Sequence, residues 1–540
     1  MAYVILLVSA FLAFSAATAL RPERRGIFAP LAFPVGWAAG ELPAQALALE
    51  AALLGVLVWW GWPRTAWTSE LVVAMATLVV LENLVLVANA FHSRRIVRRS
   101  MAGAPVRPLT IARPGQDAFG TWWRTALQFS YHPRDMQLIT DVAYGPAPRQ
   151  RLDVWRMSTT PLGAPVIFYM HGGAWTYGDK REQGRPMLHE FVRRGWVAVV
   201  INYRLAPGDL WPAQIEDATR ALSWIKRTIH NYGGDPDRVV VSGGSAGGHL
   251  AALLALSSED PTWRPARSLD VDLSVRGAIP FYGVLEMTGD QEHWRGLGWG
   301  IRHLLEHRVV QQPYVGAEGL YRDLSPYHRI HEGAPPFLVV QGVNDTLVDV
   351  QVARAFVARF RDVAFAPVYY IELPFTQHAF DLTASPRTSA TTRAAVAFAE
   401  SVVVPRQRRT TLVEGYRVPP TRLEVEVEGE WLDATHAARR LGSFSVITSD
   451  NPYSARLDDA ENEVRRAALH DQVRQRALAV ATTRARATDS TWPDEYGIAL
   501  VSAPAHLALN LARAWDQYAI YEVDEDSVVV RDVASGAVLV

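Results

Sequence analysis

The chain of 540 residues contains no cysteine. This absence excludes disulfide bonds, thiolate metal sites and a cysteine nucleophile. Lysine occurs only at Lys180 and Lys226, and the formal net charge is −1. Without a long basic block, the sequence argues against nucleic acid as a partner. It also contains no H-E-x-x-H motif, and its histidines show no regular ligand spacing, so we expect no metal site.

Charge is also scarce within three apolar runs near the N-terminus. The runs are Tyr3–Leu20, Ala44–Trp62 (interrupted by Glu50) and Leu71–Phe91 (interrupted by Glu82 and Asn83). Each has roughly the 20 residues that a helix needs to cross a bilayer. The first run resembles a signal peptide as well, although it lacks a basic n-region.

Arginines around these runs predict how the chain is oriented. They follow the first and third runs, and only Arg64 lies between the second and third. The positive-inside rule then predicts a multi-pass membrane protein with an outside N-terminus and a cytoplasmic catalytic domain. Glu50 and Glu82 would each need a partner at bilayer depth. The alternative is that the second and third runs form an apolar hairpin lying on the membrane or buried in protein.

Four regions follow from the pattern along the chain: a membrane segment of about three transmembrane helices at 1–99, a catalytic domain at 120–404, a linker at 405–420 and a small α+β domain at 421–540. In the second region, short apolar runs without alternation are separated by helix-like segments. Such runs are typical of strands buried on both faces of a mostly parallel sheet. The predicted strands are 166–169, 197–202, 239–241, 278–282, 337–340 and 368–371, and the predicted helices are 187–194, 213–230, 247–256, 350–360 and 391–402.

Ser245 is the predicted nucleophile. It lies in Gly243-Gly244-Ser245-Ala246-Gly247, between a predicted strand and a predicted helix. A sharp turn in that context exposes the serine hydroxyl, and flanking glycines let strand and helix approach. The alternative, a phosphate-binding glycine loop, lacks the Gly-Lys-Ser/Thr ending of a Walker motif and the G-x-G-x-x-G spacing of a dinucleotide site.

An oxyanion hole is predicted at the end of another strand. His171-Gly172-Gly173-Ala174-Trp175 follows 166–170, and paired glycines allow the backbone to approach a substrate oxygen. The N–H groups of this loop and of Ala246 would stabilise a tetrahedral oxyanion. We interpret His171 as structural, because a better base comes later in the chain.

The predicted acid and base also follow strands. Asp345 comes after 337–340 and His378 after 368–371, which gives the chain order Ser, Asp, His expected for this fold. Asp349 is the rival acid, and we expect it to cap the helix that begins at 350. Trp175 and Trp211 are candidate walls of the substrate pocket.

The 284–331 segment is rich in Trp, His, Leu and Tyr. One interpretation is a lid and acyl pocket, and the other is a packed helical excursion. The side chains considered for the lid are Trp294, Trp299, Leu304, Leu305 and Tyr321.

With these residues in place, 135–403 resembles the hormone-sensitive-lipase-like and carboxylesterase branch of the α/β-hydrolases. The motifs that carry the resemblance are His171-Gly172-Gly173, Tyr203-Arg204-Leu205-Ala206-Pro207, Trp211-Pro212-Ala213 with Asp217, Gly234-Asp235-Pro236-Asp237-Arg238 and Gly243–Leu250. The resemblance implies ester hydrolysis through an acyl-enzyme, without metal or organic cofactor. It also implies oxyanion donors at Gly173, Ala174 and Ala246.

Three positions depart from that pattern. Ala174 replaces the usual third glycine, Gly208 replaces an expected Glu, and Gly244 stands where many lipase-like members have Asp or Glu. The Gly-Gly-Ser-Ala-Gly-Gly form is more similar to the feruloyl-esterase, arylformamidase and isoprenylcysteine-methylesterase neighbours.

The C-terminal region is predicted to contain strands at 422–428, 444–448 and 498–502, helices at 461–478 and 507–515, and a closing hairpin at 527–540 with its turn at Ser535-Gly536. Three stretches, at 448–454, 461–462 and 517–519, resemble a small bacterial domain of unknown function. We expect a binding or regulatory role there.

The sequence therefore predicts a membrane-anchored serine hydrolase that acts on an apolar or lipid-like ester. Two alternatives stay open: an amidase or peptidase on the same triad, and an inactive hydrolase fold that serves as a membrane-tethered interaction module.

Overall fold

The structure is a computed structural model. It describes residues 2–22, 29–60, 66–101, 135–258, 260–264, 271–289, 301–403, 421–450, 457–476, 478–487, 494–515, 517, 519–533 and 538. The predicted linker at 405–420 lies outside the described residues.

Four helices form the N-terminal segment: α1 (Ala2–Leu20), α2 (Ala29–Glu41), α3 (Pro43–Trp60) and α4 (Ala66–Ser100). Three stretches, Tyr3–Leu20, Pro43–Trp60 and Trp67–Ser100, are long and apolar enough to cross a membrane, by length and composition. Glu50 is buried and accepts a hydrogen bond from Ser9 Oγ at 2.9 Å, so this carboxylate has the helix partner that the sequence required. Helix α2 was not predicted.

An eight-stranded sheet forms the centre of the predicted catalytic region, in the order β1-β2-β4-β3-β5-β6-β7-β8. Its strands are β1 (Met136–Ala143), β2 (Arg151–Met157), β3 (Ala164–Met170), β4 (Val197–Ile201), β5 (Gly234–Gly244), β6 (Gly277–Phe281), β7 (Phe337–Gly342) and β8 (Val368–Leu373). The last six match the predicted strands, and they pair in parallel. Strands β1 and β2 add an antiparallel edge.

Helices cover both faces of this sheet. They are α5 (Arg185–Arg193), α6 (Ala213–Thr228), α7 (Ala246–Ser257), the short α8 (Ile301–Leu304) and α9 (Glu318–Asp323), α10 (Val350–Val363) and α11 (Pro386–Val402). Neighbouring residues of β3 contribute to opposite cores: Phe168 packs in one cluster and Ile167 in the other. Burial on both faces explains why the strand sequences are continuously apolar.

The C-terminal region is a separate sheet-rich region. Its seven strands lie in the order β10-β9-β12-β13-β11-β14-β15, and all pair antiparallel. The strands are β9 (Thr421–Val427), β10 (Glu430–Asp433), β11 (Phe444–Thr448), β12 (Val480–Ala487), β13 (Glu495–Val501), β14 (Ala519–Val523) and β15 (Val528–Asp532), with helices α12 (Ala434–Leu441), α13 (Asp459–Gln475) and α14 (Ala505–Ala514).

The predicted C-terminal hairpin is only partly correct. Strand β15 pairs with β14, a strand that was not predicted from the sequence. Of the expected hairpin, the structure describes a single bridge between Arg531 and Val538. The predicted turn at Ser535-Gly536 lies outside the described residues.

Candidate active site

The predicted nucleophile Ser245 stands between the end of β5 and the start of α7. Its backbone has φ 56° and ψ −120°, a strained conformation for a residue with a side chain. A Cβ at Gly243 would lie 2.4 Å from the backbone carbon of Gly247, and a Cβ at Gly247 would lie 2.0 Å from the Met170 carbonyl oxygen. Both glycines are therefore required by close backbone approach, as a strand-turn-helix elbow demands.

The predicted acid and base meet at the carboxyl edge of the sheet. The Nδ1 atom of His378 lies 2.7 Å from Asp345 Oδ2, and both side chains are buried. A hydrogen bond from Nδ1–H leaves Nε2 as the nitrogen that can accept a proton.

Backbone groups hold the Asp345 carboxylate in place. Its Oδ1 accepts hydrogen bonds from the N–H groups of Leu347 at 2.9 Å and Val348 at 2.8 Å. Its Oδ2 also accepts one from Gln341 Nε2 at 3.0 Å. The rival, Asp349, instead accepts a hydrogen bond from Gln351 N–H at 2.9 Å as the N-cap of α10. The structure therefore brings Asp345, and not Asp349, to His378.

Tyr282 links the base to the nucleophile turn. Its ring lies 4.6 Å from the His378 ring, centroid to centroid. A Cβ at Gly244 would lie 2.7 Å from the Tyr282 hydroxyl oxygen, so this ring occupies the space beside the residue that precedes Ser245. The ring of Tyr282, which follows β6, therefore fills the space that a larger side chain at position 244 would need.

Asp381 accepts a hydrogen bond from the Tyr282 hydroxyl, and both groups are buried. Burial raises the pKa of Asp381 to about 6. Sequence reasoning missed this pair. The available signal was that each residue follows a strand end at the same edge of the sheet as His378.

The loop predicted to form the oxyanion hole has two residues with positive φ. Gly173 has φ 120° and Ala174 has φ 50°. Ala246 is the first residue of α7, where backbone N–H groups have no partner within the helix. Gly172 requires a correction: its N–H donates to Gln183 Oε1 at 2.7 Å, so this group is engaged and is not available to a substrate oxygen.

His171 is buried behind this loop. Its ring stacks on Tyr203 with centroids 4.4 Å apart, and its Nδ1 lies 2.7 Å from the Gly172 carbonyl oxygen. Burial lowers the pKa of His171 to about 4. These contacts fit the structural role expected for this histidine.

The two tryptophans considered for the pocket differ. Trp175 is 2% exposed and its Nε1–H donates to His249 Nδ1 at 3.2 Å, so it belongs to the core. This corrects the expectation that Trp175 lines the pocket. Trp211 is half-buried and packs against His249 and Trp263, and it stays a candidate wall.

Several described residues of the 284–331 segment pack in or against the larger hydrophobic cluster. Leu305 and Tyr321 are buried in the larger hydrophobic cluster, and Leu304 packs against that cluster. The backbone N–H of Trp211 donates to the Val309 carbonyl oxygen at 2.9 Å, and this hydrogen bond connects the segment to the rest of the domain. These contacts favour the helical excursion over a lid, whereas Trp294 and Trp299 lie outside the described residues. In the described part of the chain, no group of three or more His, Asp or Glu side chains could hold a metal ion.

Comparison with known proteins agrees with this architecture. The BD-FAE family model matches residues 152–360. The chain is 45% identical over 272 residues to the probable carboxylic ester hydrolase LipM of Mycobacterium tuberculosis, a match that covers 50% of this chain and 62% of that protein. It is 42% identical over 260 residues to the esterase LipQ of the same organism, covering 48% and 61%. The resemblance to α/β-hydrolase esterases is therefore confirmed.

A more distant relative is the probable isoprenylcysteine alpha-carbonyl methylesterase ICME of Oryza sativa subsp. japonica. It is 26% identical over 231 residues, which cover 42% of this chain and 54% of that protein. The chain thus matches 54–62% of the length of these three relatives.

The C-terminal resemblance is confirmed as well. Residues 447–520 match the family model of a protein of unknown function, DUF3293. The matched part begins in β11 and ends in β14, and it includes strands β12 and β13 and helices α13 and α14.

Proposed function

We propose that this chain is a membrane-anchored serine hydrolase that cleaves an apolar or lipid-like carboxylic ester through an acyl-enzyme on Ser245. The observation that carries the proposal is the 2.7 Å contact between His378 Nδ1 and Asp345 Oδ2, at the sheet edge where β5 ends in the strained turn at Ser245. Esterase relatives support the choice of ester over amide.

In the proposed reaction, Ser245 Oγ attacks the ester carbonyl carbon while His378 Nε2 takes the serine proton. The N–H groups of Gly173, Ala174 and Ala246 stabilise the oxyanion. His378 then protonates the leaving alcohol, and the acyl group stays on Ser245. Water repeats the sequence on the acyl-enzyme and releases the acid.

Asp345 acts through His378. Its carboxylate holds the imidazole with a proton on Nδ1 and stabilises the cation that forms when Nε2 is protonated. In addition to His378, three hydrogen-bond donors of the protein hold that carboxylate. The carboxylate is therefore already oriented before the reaction, and little free energy is needed to orient it during the reaction.

Membrane attachment is proposed from the exposed apolar surface of α1, α3 and α4. Trp59 and Trp60 are 88% and 73% exposed at the end of α3, and Trp67 is 57% exposed at the start of α4. Tryptophans in such a position are typical of a membrane–water interface. The positive-inside rule then gives a cytoplasmic catalytic domain.

A fluorophosphonate probe tests the catalytic proposal, because it reacts with an activated serine without knowledge of the substrate. We expect labelling confined to Ser245 in membranes that contain the full chain, and its loss in Ser245→Ala. Ser242→Ala is the matched control, because the Ser242 hydroxyl donates to the Ile279 carbonyl oxygen at 2.8 Å inside the fold. Absence of labelling in folded wild-type protein would contradict the proposal and favour an inactive interaction module. Panels of matched esters and amides then test the choice of leaving group.

The absence of cysteine allows a clean test of orientation. A single cysteine at the exposed Asp237 position can be labelled with a membrane-impermeant maleimide. We expect labelling only after the cells are permeabilised. Labelling of intact cells would put the catalytic domain outside.

A further inference from the structure

Helix α2 lies against the loop that carries His378. The Trp37 Nε1–H donates to the Ala379 carbonyl oxygen at 2.9 Å. On the other side of the histidine, Gln377 Nε2 donates to the Ala32 carbonyl oxygen at 3.4 Å. The two residues that flank His378 therefore both bond to α2.

The end of α1 lies against the loop that carries Asp345. Asn344 Nδ2 donates to the carbonyl oxygens of Ala19 at 2.7 Å and Leu20 at 3.1 Å. These carbonyls belong to the last turn of α1, where no intrahelical N–H is available to them. Asn344 directly precedes Asp345, so the acid loop and α1 share a polar contact at a helix end.

The other end of α2 is tied to the catalytic region by a buried charge pair. Arg387 Nη1 donates to the Gly40 carbonyl oxygen at 2.6 Å and to Glu41 Oε1 at 2.8 Å. Together with the contacts of Trp37 and Gln377, this pair fixes α2 along its length on the catalytic region.

Phe33, on α2, lies near the proposed base. Its ring centroid lies 6.0 Å from that of His378, with the rings at 74° to each other. The His378 ring has two other contacts: Asp345 is bonded to its Nδ1, and Tyr282 packs on the ring. Phe33 is half-buried, so part of its ring is left to contact another group.

The chemistry of the proposed reaction indicates which group that is. His378 delivers its proton to the oxygen of the leaving alcohol, so the alcohol half of the ester must lie beside the imidazole. The surface that α2 offers there is apolar, because positions 29–40 carry no charged side chain. The helices next to it, α1 and α3, contain candidate membrane spans.

We propose that Phe33 is a specificity-determining residue, through which the N-terminal segment contacts an apolar alcohol half of the substrate. This inference rests on the proposed ester hydrolysis at Ser245. The N-terminal helices then form part of the binding site as well as a membrane anchor. Selectivity for the alcohol should therefore change independently of selectivity for the acyl group.

Two series of esters test the proposal on the full chain in lipid nanodiscs. One series keeps the acyl group and varies the alcohol, from ethyl to octyl acetate, and the other keeps ethanol and varies the acid, from acetate to octanoate. In Phe33→Ala, we expect kcat/KM for octyl acetate relative to ethyl acetate to fall about tenfold, the size of effect typical of a lost apolar contact in a pocket. The corresponding ratio in the acyl series should keep its wild-type value.

Leu31→Ala is the matched control, because Leu31 lies on the same helix and is 54% exposed. We expect both ratios to stay at wild-type values in this variant. An unchanged alcohol ratio in Phe33→Ala, or a change in the acyl ratio alone, would overturn the inference. Fluorophosphonate labelling of Ser245 is measured on each variant, so that loss of the proposed hydrolase activity is distinguished from loss of alcohol selectivity.

A second measurement serves if Phe33→Ala does not fold. Because the chain has no cysteine, Phe33→Cys and Leu31→Cys each provide a single thiol. After labelling with N-ethylmaleimide, we expect octyl acetate hydrolysis to fall in Phe33→Cys and to be retained in Leu31→Cys. Equal retention in both would contradict a contact between position 33 and the substrate.

Discussion

Glu41, at the end of α2, and Arg387, in the first turn of α11, form an ion pair 2.8 Å long that is almost completely shielded from solvent. Removal of one partner leaves an uncompensated buried charge, which typically costs about 3–5 kcal/mol. We therefore expect Arg387→Ala to lower the stability of the protein by about that amount. The shift is measured as the thermal unfolding midpoint, followed by tryptophan fluorescence in detergent.

The exposed pair Arg354–Glu372 provides the control. Its side chains are 43% and 27% exposed, and solvent-exposed pairs contribute at most about 1 kcal/mol. Arg354→Ala should therefore shift the midpoint far less. The double variant Glu41→Gln with Arg387→Met should recover stability relative to Arg387→Ala, and equal losses in the two variants would argue against charge burial as the cause.

Asp345 and Asp349 lie four residues apart and have different expected effects. In Asp345→Asn, the contact that sets the His378 tautomer is changed, and kcat should fall about ten-thousandfold, as when other triads lose their acid. In Asp349→Ala, α10 loses its N-cap, at a cost of about 1 kcal/mol in stability. Its kcat should stay near the wild-type value. Steady-state ester hydrolysis and thermal unfolding of both variants separate the two roles, and the reverse pattern would make Asp349 the acid.

The parts of this site that sequence could predict are those made by local backbone requirements. The turn at Ser245 requires glycine at positions 243 and 247, and the acid and base each follow a buried apolar strand. Such signals extend over only a few residues, so they can be recognised without knowledge of the tertiary structure.

The parts that escaped prediction depend on contacts distant in sequence. Phe33 and His378 are packed together although hundreds of residues separate them, and nothing near Phe33 in sequence marks it as part of a site. Strand β2 escaped because its sequence is not continuously apolar. Its Asp153 is fully buried and paired with Arg181 at 2.8 Å and with Lys180 at 3.4 Å, and such a pair appears only in the folded structure.

Gly173 provides a test of the oxyanion loop. A Cβ at this position would lie 2.1 Å from the Tyr177 carbonyl oxygen, and φ is +120°. Gly173→Ala should displace the loop and its donors, and loss of one such donor typically lowers kcat by about a hundredfold to a thousandfold. Single-turnover ester hydrolysis measures the effect.

Gly163→Ala is the control for backbone strain alone. Gly163 also has positive φ, at +74°, but a Cβ there would have no atom within 4 Å. The Gly163→Ala variant should lose only about 1–2 kcal/mol of stability and keep the wild-type kcat. A wild-type kcat in Gly173→Ala would exclude its loop from the oxyanion hole.

Asp381 predicts how stability depends on pH. Burial raises its pKa from an ordinary 3.8 to about 6, against the opposing effects of the Tyr282 hydrogen bond and of His378. Between about pH 4 and pH 6 the folded protein therefore binds more protons at this site than the unfolded chain does. The resulting stabilisation is complete at the lower pH and is lost as the pH rises through about 6, with a total of about 3 kcal/mol.

In Asp381→Asn the site can no longer bind a proton, so we expect this contribution to the pH dependence to disappear. Unfolding midpoints from tryptophan fluorescence, measured across the same pH range for wild type and variant, give the difference. Asp237→Asn is the control, because Asp237 is exposed. Parallel pH profiles for wild type and Asp381→Asn would mean that the carboxyl group is already ionised throughout this range, with the Tyr282 hydroxyl and the nearby His378 offsetting the cost of its burial.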